Sequence, residues 1–199
     1  TREFFPLYLQ VLNHEAVRLE RLIQDLLDLS RLETESLPER IESVSLKQQV
    51  FKLVDAFAVK VRTKQISLQI EIPDDMPLLR MAENHLGQLL TNLVGNAIAY
   101  TFDNSKVLIS ASVTDAVVEK RMAHIVIQDN GPGIPQEEQH KIFDRFYRGK
   151  QVQMNREVPG TGLGLAICKE IVERYGGQLQ LESVVGEGTT FIVKLPVAN

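Results

Sequence analysis

The segment "DNGPGI", residues 129–134, is the first candidate for a chemical site in this 199-residue chain. It directly follows the apolar run "HIVIQ", so Asp129 is expected at the end of a strand. A carboxylate held there can accept a hydrogen bond from an exocyclic amine such as that of adenine. Gly131 and Gly133 allow a sharp turn and a close approach of a ligand to the backbone. The alternative is a plain strand-to-helix turn in which Asp129 caps the helix.

Two further glycine-rich segments follow. In "GTGLGLAI" a predicted helix begins, and free backbone N–H groups at a helix N-terminus favour a phosphate; the residues are Gly160, Thr161, Gly162, Leu163 and Gly164. The segment lacks the lysine of a P-loop, and a polar loop precedes it where a dinucleotide-binding fingerprint requires a strand. A glycine triplet alone is also compatible with an ordinary loop. The third segment, "GEGTTF", contains Thr189 and is by itself expected to be a hairpin turn.

Asn92 and Asn96 are four residues apart on a predicted helix and therefore share a face, which also carries Gln88. Buried amides must be satisfied, and a hard cation such as Mg²⁺ readily takes amide oxygens. The alternative is that both asparagines hydrogen-bond a neighbouring loop.

Both helices and strands must position these residues. Residues 4 to about 35 are predicted to form one helix, because apolar residues recur three and four apart at Leu12, Ala16, Leu19, Ile23, Leu26 and Leu29. A helix with one apolar stripe requires a partner helix or a dimer mate. After the linker "ESLPERIES", single strands and hairpins are mixed with helices, one of which spans "QEEQHKIFDRFY" and another of which ends at Gly176-Gly177. This order favours an α+β two-layer sandwich over a doubly wound parallel sheet.

Composition excludes several classes of protein. A hydrophobic content of 44% and a charged content of 24% are typical of a soluble globular protein, and the net charge of −4 offers no global basic field for nucleic acid. No apolar run approaches the roughly 18 residues of a membrane span, so no membrane contact is expected. Cys168 lies in an apolar helical pattern and is expected to be buried in a reducing, cytoplasmic setting. The start "TREFF" lacks an initiator Met and predicts a piece of a longer protein.

The order of these motifs resembles the ATP-binding domain of sensor histidine kinases. Asn-x-x-x-Asn, "DNGPGI", "IFDRFYR", "GTGLGLAI" and "GEGTTF" follow one another at workable spacing over about residues 45 to 197. That domain belongs to the ATPase superfamily shared with gyrase, the Hsp90 chaperone and MutL, often called GHKL. The resemblance implies a two-layer α/β sandwich with a mixed sheet packed on helices. It also implies three parts: residues 1–36 as the second helix of the dimerisation and phosphoacceptor hairpin, 37–44 as a linker and 45–199 as the ATP-binding domain.

The resemblance assigns roles to the candidate residues. Asp129 would bond the adenine amino group, Tyr100 would pack near the base or sugar, and Asn96 would hold Mg²⁺. Asn92 would lie near the metal and phosphates. The glycine segments would shape the pocket wall and hold the phosphates, through Gly131, Gly133, Gly160, Thr161, Gly162, Leu163, Gly164 and Thr189. Residues 147–160 would form a mobile lid, and Arg145 and Arg148 would reach the γ-phosphate.

One position favours phosphoryl transfer over hydrolysis. The hydrolysing relatives carry a glutamate that activates water where this chain has Asn92, and asparagine cannot act as a general base. Two departures weaken the likeness, because Ala99 stands where the family often has a phosphate-contacting lysine and His85 stands where an arginine is common.

His14 is the other residue that could take part in transfer, since it precedes Glu15 as the family's phosphoacceptor does. However, "HEAVRL" lacks the proline of the acceptor motif and lies in a stretch that resembles the second helix. At about 100° per residue, His14 falls roughly 140° from the apolar stripe. It is therefore expected on a solvated face, with the acceptor helix absent from this chain.

The sequence therefore predicts the catalytic core of a sensor histidine kinase. It would bind ATP and Mg²⁺ and transfer the γ-phosphoryl group to a histidine, for relay to an aspartate of a response regulator. The full protein would dimerise through the N-terminal helix. Two alternatives stay open: a regulatory ATP-binding module that transfers nothing, which Ala99 would favour, and a hydrolytic relative, against which Asn92 argues.

Overall fold

The structure is a computed structural model that describes residues 5–34, 42–114, 121–149 and 160–198. Most of the segment predicted as a linker and the greater part of the predicted lid, residues 150–159, lie outside the described residues. In the part that is described, no helix is long and apolar enough to cross a membrane.

The N-terminal helix α1, Phe5–Thr34, confirms the predicted helix almost to the residue. Leu29 and Leu32 near its C-terminal end are buried against the rest of the protein. By contrast, several members of its apolar stripe are exposed: Leu12, Leu19, Ile23 and Leu26. Among the described residues, the contacts of α1 with the core therefore lie in its C-terminal part, where Leu22 also packs.

A five-stranded sheet forms one layer of the protein. Its strands lie in the order β2 (Ser67–Glu71), β4 (Lys106–Thr114), β5 (Met122–Asp129), β7 (Gly188–Pro196) and β6 (Gln178–Val184). The β2–β4 pair is parallel and the remaining pairs are antiparallel, so the sheet is mixed. A small second sheet pairs β1 (Glu42–Val44) with β3 (Leu79–Met81). Strand β1 thus begins inside the segment 37–44 that was predicted as a linker.

Helices form the second layer. They are α2 (Leu46–Thr63), α3 (Glu83–Tyr100), the short α4 (Gln136–Gln139) and α5 (Gly164–Arg174). Alternate residues of the central strands are buried, whereas the residues between them are mostly half-buried or exposed. One face of the sheet therefore meets the helices through an apolar core and the other stays open, which confirms the predicted α+β two-layer sandwich.

The end of α5 follows the predicted signal. Gly176 has a φ of +69°, and the N–H of Gly177 donates to the carbonyl of Val172 at 2.9 Å, as expected of a glycine that terminates a helix.

The predicted helix over "QEEQHKIFDRFY" is wrong beyond Gln139, where the chain continues in turns. Phe146 has a φ of +64°, and its N–H donates to the carbonyl of Gly162 at 2.9 Å. A hydrogen bond to a distant segment thus replaces the intrahelical bond that local periodicity implied.

Candidate functional site

The predicted site residues converge where β5 and α3 end and α5 begins. Asp129 is the last residue of β5, Tyr100 is the last residue of α3, and Gly164 is the first residue of α5. Gly131 brings the segment after Asp129 against the end of α3, and Asn92 of α3 contacts Gly164.

Asp129 is 7% exposed and is held by backbone donors. The N–H of Gly131 donates to Oδ1 at 2.8 Å, and the N–H of Thr189 on the neighbouring strand also donates to the carboxylate. Burial raises the pKa of Asp129 to about 6, and these two hydrogen bonds only partly offset that rise. A carboxylate offers about four acceptor sites, so capacity remains for a ligand amine.

The segment "DNGPGI" is pressed against the β6–β7 hairpin. A Cβ on Gly133, which has a φ of +71°, would lie 2.1 Å from the carbonyl oxygen of Val184. The hydroxyl of Ser183 accepts from the N–H of Ile134 at 2.9 Å and donates to the carbonyl of Gly188 at 2.8 Å. The "GEGTTF" hairpin was predicted correctly, and it also forms the support of the Asp129 loop.

Thr189 and Gly131 line the two sides of Asp129. Thr189 is buried and lies directly opposite Asp129 in the β5–β7 register. A Cβ on Gly131 would lie 2.8 Å from the Oδ1 atom of Asp129 and 3.3 Å from the carbonyl oxygen of Tyr100. Only glycine fits between the end of α3 and the aspartate, since any larger residue would need one of them to move.

Asn92 joins α3 to the first turn of α5. Its Nδ2 atom donates to the carbonyl of Gly164 at 3.2 Å, and its side chain also hydrogen-bonds the thiol of Cys168. Cys168 is fully buried, as predicted, and this burial raises the pKa of its thiol. Asn96, one turn further along α3, is half-buried and has no side-chain hydrogen bond to any residue that the structure describes.

The glycine segment before α5 is partly occupied by protein groups. Gly162, with a φ of +76°, packs against the backbone of Phe146, whereas Gly160 has open space around it. The hydroxyl of Thr161 accepts from the N–H of Leu163 at 3.3 Å and donates to the carboxylate of Asp25 on α1 at 2.6 Å. Leu163 is fully buried, so its side chain anchors the segment in the core.

The two arginines have different surroundings. Arg145 is half-exposed and pairs with Glu33 of α1. Arg148 lies close enough to Tyr100 for its positive charge to lower the pKa of that phenol, although burial raises the pKa by more. Arg148 and Tyr100 therefore share one side of the site, whereas Arg145 is turned towards α1.

Three supporting residues were not identified from the sequence. The ammonium of Lys64 donates to the carbonyls of Ile98, Ala99 and Thr101 at 2.8–3.0 Å and so caps the end of α3. Gln139, on α4, donates to the carbonyls of Ile134 and Ser183, and Ser183 closes the same network. No local pattern predicts the longer contacts, because the partners of Lys64 lie 34 to 37 residues away in the sequence, and Ser183 lies 44 residues from Gln139 and 49 from Ile134.

The side chain of His14 lies outside what the structure describes, so its predicted solvated face stays a prediction. Among the described residues, no group of three or more His, Cys, Asp or Glu side chains could hold a metal ion.

Known proteins resemble this chain in sequence and in fold. Residues 81–199 match the family described as "Histidine kinase-, DNA gyrase B-, and HSP90-like ATPase". The sensor histidine kinase WalK of Bacillus subtilis (strain 168) is 31% identical over 195 residues, which are 98% of this chain and 31% of that protein. This chain therefore spans about a third of the length of that relative.

Two solved structures have the same architecture. The histidine kinase AdeS of Acinetobacter baumannii superposes with a TM-score of 0.76 at 26% identity, over 98% of this chain and 86% of that chain. Full-length ShkA in complex with AMPPNP has a TM-score of 0.80 at 24% identity, over 96% of this chain and 38% of that chain, which is a likeness of fold.

Proposed function

This chain belongs to the family of histidine kinase-, DNA gyrase B- and HSP90-like ATPases, and we propose on that basis that it binds Mg·ATP and serves as the catalytic part of a sensor histidine kinase. In this role it transfers the γ-phosphoryl group of ATP to a histidine. The single observation that carries the proposal is the contact between Asn92 and Gly164. It brings the asparagine face of α3 against the glycine segment of α5, the two segments expected to surround the phosphates.

The adenine base is recognised by Asp129. Its buried carboxylate has acceptor capacity beyond the two backbone N–H groups that hold it, and an exocyclic amine is the complementary donor. Tyr100 packs beside the base or sugar. Gly131 and Gly133 form the wall, because larger residues at either position would collide with the surrounding backbone or with Asp129 itself.

A magnesium ion fits Asn96. Its amide is half-buried and has no hydrogen bond to a described residue, so its oxygen is available to a hard cation. Mg²⁺ commonly keeps several waters and completes its coordination with substrate phosphates, which suits a site where no carboxylate cluster was found among the described residues. When bound, the ion would neutralise charge on the phosphates.

The remaining residues act on the phosphates. The backbone around Gly160, Gly162 and Gly164 holds them at the head of α5, and Arg145 and Arg148 stabilise the charge on the transferred group. Asn92 cannot take a proton from water, and its amide holds the first turn of α5. A site with this chemistry hands the phosphoryl group to a nucleophile from elsewhere and does not activate water for hydrolysis.

The partners follow from the same role. A response regulator would receive the phosphoryl group on an aspartate. Residues 1–36 would supply the second helix of a dimerisation hairpin, with the exposed apolar residues of α1 as the contact surface: Leu12, Val17, Leu19, Ile23, Leu26 and Leu27. Residues 45–199 would be the ATP-binding domain.

Transfer of label from [γ-³²P]ATP in the presence of Mg²⁺ tests the proposal. The samples are the chain alone, its His14→Ala variant, and the chain mixed with a separately prepared acceptor helix from the parent protein. Label only on the added helix is the expected result. Acid-labile label on the chain alone that disappears in His14→Ala would make His14 the acceptor, and no label in any sample would contradict transfer.

A regulatory ATP-binding module is the second candidate, and the end of α3 favours it. Ala99 provides no cation to the phosphates, and the nearby ammonium of Lys64 is committed to three carbonyls. Nucleotide binding without transfer to the acceptor helix would decide for this candidate.

A further inference from the structure

Glu138 is a buried acidic residue to which the proposed function assigns no role. It lies on the short helix α4 and is 7% exposed. Its backbone is fixed on both sides, because its N–H donates to the carbonyl of Pro135 at 2.8 Å and its carbonyl accepts from the N–H of Lys141 at 2.8 Å. A glutamate is seldom buried unless its carboxylate is paired, so the groups that surround this carboxylate indicate what Glu138 does.

The carboxylate of Glu138 contacts the residues directly before and after Arg148. The hydroxyl of Tyr147 hydrogen-bonds the carboxylate, and Tyr147 also packs against the core. Burial of the phenol and the negative charge of Glu138 raise the pKa of Tyr147, so the phenol keeps the proton that it donates. A Cβ on Gly149 would lie 2.6 Å from the Oε2 atom of Glu138, so the backbone at residue 149 lies directly against the carboxylate.

We propose that Glu138 is a positioning residue for Arg148. By holding Tyr147 and the backbone at Gly149, Glu138 fixes the short stretch of chain between them and so keeps the guanidinium of Arg148 where it can meet the phosphates of the nucleotide. This inference rests on the proposed function, in which Arg148 stabilises the charge on the transferred group.

The surroundings of Arg148 support this assignment. Burial raises the pKa of Tyr100 and the positive charge of Arg148 lowers it in part, so the guanidinium lies near that phenol. The carbonyl oxygen of Tyr100 would be 3.3 Å from a Cβ on Gly131, whose N–H holds the carboxylate of Asp129. Arg148 therefore lies on the side of the site where the end of α3 meets the Asp129 loop.

Helix α4 provides a fixed base for the contact. Gln139, the residue after Glu138, donates to the carbonyls of Ile134 and Ser183 at 2.9 Å each. Adjacent residues of α4 thus bond in two directions, Gln139 to the Asp129 loop and the β6–β7 hairpin, and Glu138 to the segment of Arg148. A long arginine side chain loses conformational entropy when it binds a ligand, and a backbone that is already fixed lowers that cost. A cation held in place also needs little reorganisation to meet the phosphates.

Calorimetric titration with Mg·AMPPNP and with Mg·ADP tests the inference, because only AMPPNP carries a γ-phosphoryl group. We expect about three- to tenfold weaker binding of Mg·AMPPNP in Glu138→Ala and in Tyr147→Phe, with a smaller change for Mg·ADP. Glu138→Gln keeps one acceptor oxygen and should lose less than Glu138→Ala. The direction is diagnostic, since removal of a negative charge near a polyphosphate would by itself strengthen binding.

Two further samples complete the comparison. Glu137→Ala makes the same change at the exposed neighbouring position of α4, and it should bind both nucleotides as the original chain does. Tyr147→Phe removes only a hydroxyl group and serves as the test where Glu138→Ala fails to fold. Urea unfolding establishes which variants are folded.

A double-mutant cycle with Arg148→Ala identifies the residue through which Glu138 acts. Glu138→Ala should weaken the binding of Mg·AMPPNP in the original chain but not in the Arg148→Ala chain. Equal losses in the two chains, equal losses for the two nucleotides, or an Arg148→Ala variant that binds Mg·AMPPNP as the original does would overturn the inference and leave the proposed function standing. Absence of Mg·AMPPNP binding by the original chain would instead overturn the proposed function, and the inference with it.

Discussion

The side-chain amide of Asn92 donates to the backbone carbonyl of Gly164 across the interface between α3 and α5, at a distance of 3.2 Å. A Cβ on Gly164 would lie 3.3 Å from the Oδ1 atom of the same asparagine. The two residues are 72 positions apart in the chain, and their contact sets where the glycine segment stands relative to α3.

This contact predicts the behaviour of substitutions at Asn92. Asn92→Asp replaces the donor with an acceptor that faces a carbonyl, so the free energy of unfolding should fall by about 1–3 kcal/mol at neutral pH. Affinity for Mg·AMPPNP should fall as well, because the glycine segment moves. Asn84→Asp, on the exposed first turn of the same helix, is the control and should be neutral or slightly stabilising. Urea unfolding and calorimetry measure both effects, and equal stability of the two variants would contradict the role of the contact.

Asp129 should make stability depend on pH. Its pKa is raised to about 6 in the folded chain from an ordinary value of 3.8, so the folded state binds the proton more tightly than the unfolded state does. The free energy of unfolding therefore rises as the pH falls from about 6 towards 3.8. At pH 7 the carboxylate of Asp129 is ionised in the folded chain, and its burial in that form lowers the stability. Asp129→Asn should be at least as stable as the original at pH 7. The difference in free energy of unfolding between Asp129→Asn and the original should shrink as the pH is lowered from 7 to 4. A difference that does not change with pH would contradict the raised pKa of Asp129.

The same substitution should impair nucleotide binding. In Asp129→Asn one oxygen can still accept from Gly131, but the other acceptor becomes an NH₂ group that faces the adenine amine donor to donor. We expect about tenfold or greater loss of affinity for adenine nucleotides at pH 7, by calorimetry. A folded Asp129→Asn variant that binds as the original does would remove Asp129 from adenine recognition.

Lys64 should contribute to stability. Lys64→Met keeps the aliphatic stem but leaves three carbonyls at the end of α3 without their charged donor. We expect the free energy of unfolding to fall by about 2–3 kcal/mol. Lys141→Met, at an exposed position, should change it little. If both variants unfold at the same urea concentration as the original, the hydrogen bonds of Lys64 to the end of α3 contribute nothing to stability.

Gly133 and Gly186 form a matched pair for the wall of the site. Both have a left-handed φ, +71° and +85°, so alanine is strained at either position. The two positions differ in the room available for a side chain. A Cβ on Gly133 would overlap the carbonyl oxygen of Val184 at 2.1 Å, whereas a Cβ on Gly186 would meet nothing within 4 Å. Gly186→Ala should cost about 1 kcal/mol of stability and leave affinity for AMPPNP unchanged.

The expected result for Gly133→Ala is larger. The overlap with the Val184 backbone must be relieved by a shift of the loop that holds Asp129, so stability should fall by about 3 kcal/mol or more and nucleotide binding should weaken. Thermal unfolding together with calorimetry separates the two variants. Equal losses would mean that φ strain alone, and not the close approach to Val184, requires glycine at residue 133.

The sequence by itself determined the elements whose signals are local. The spacing of leucines predicted α1, the apolar run "HIVIQ" predicted the strand that ends at Asp129, and Gly176 predicted the end of α5, because each pattern reflects the geometry of a few consecutive residues. The fold class followed from the order of those elements. The site residues were predicted as a set because five motifs resembled one family in the right order.

Tertiary structure decided which of these residues contact one another. The helix predicted after Gln139 gives way to turns, because Phe146 bonds to Gly162 on another segment. Asn92 meets Gly164, Lys64 caps α3, and Asp25 meets Thr161 136 positions away in the sequence. Such contacts depend on where the fold brings distant backbone together, and no period along the chain encodes that distance. Asp25 is the clearest case, since its position predicts only an ordinary charged residue of a helix, and its contact with Thr161 exists because the fold places the glycine segment beside α1.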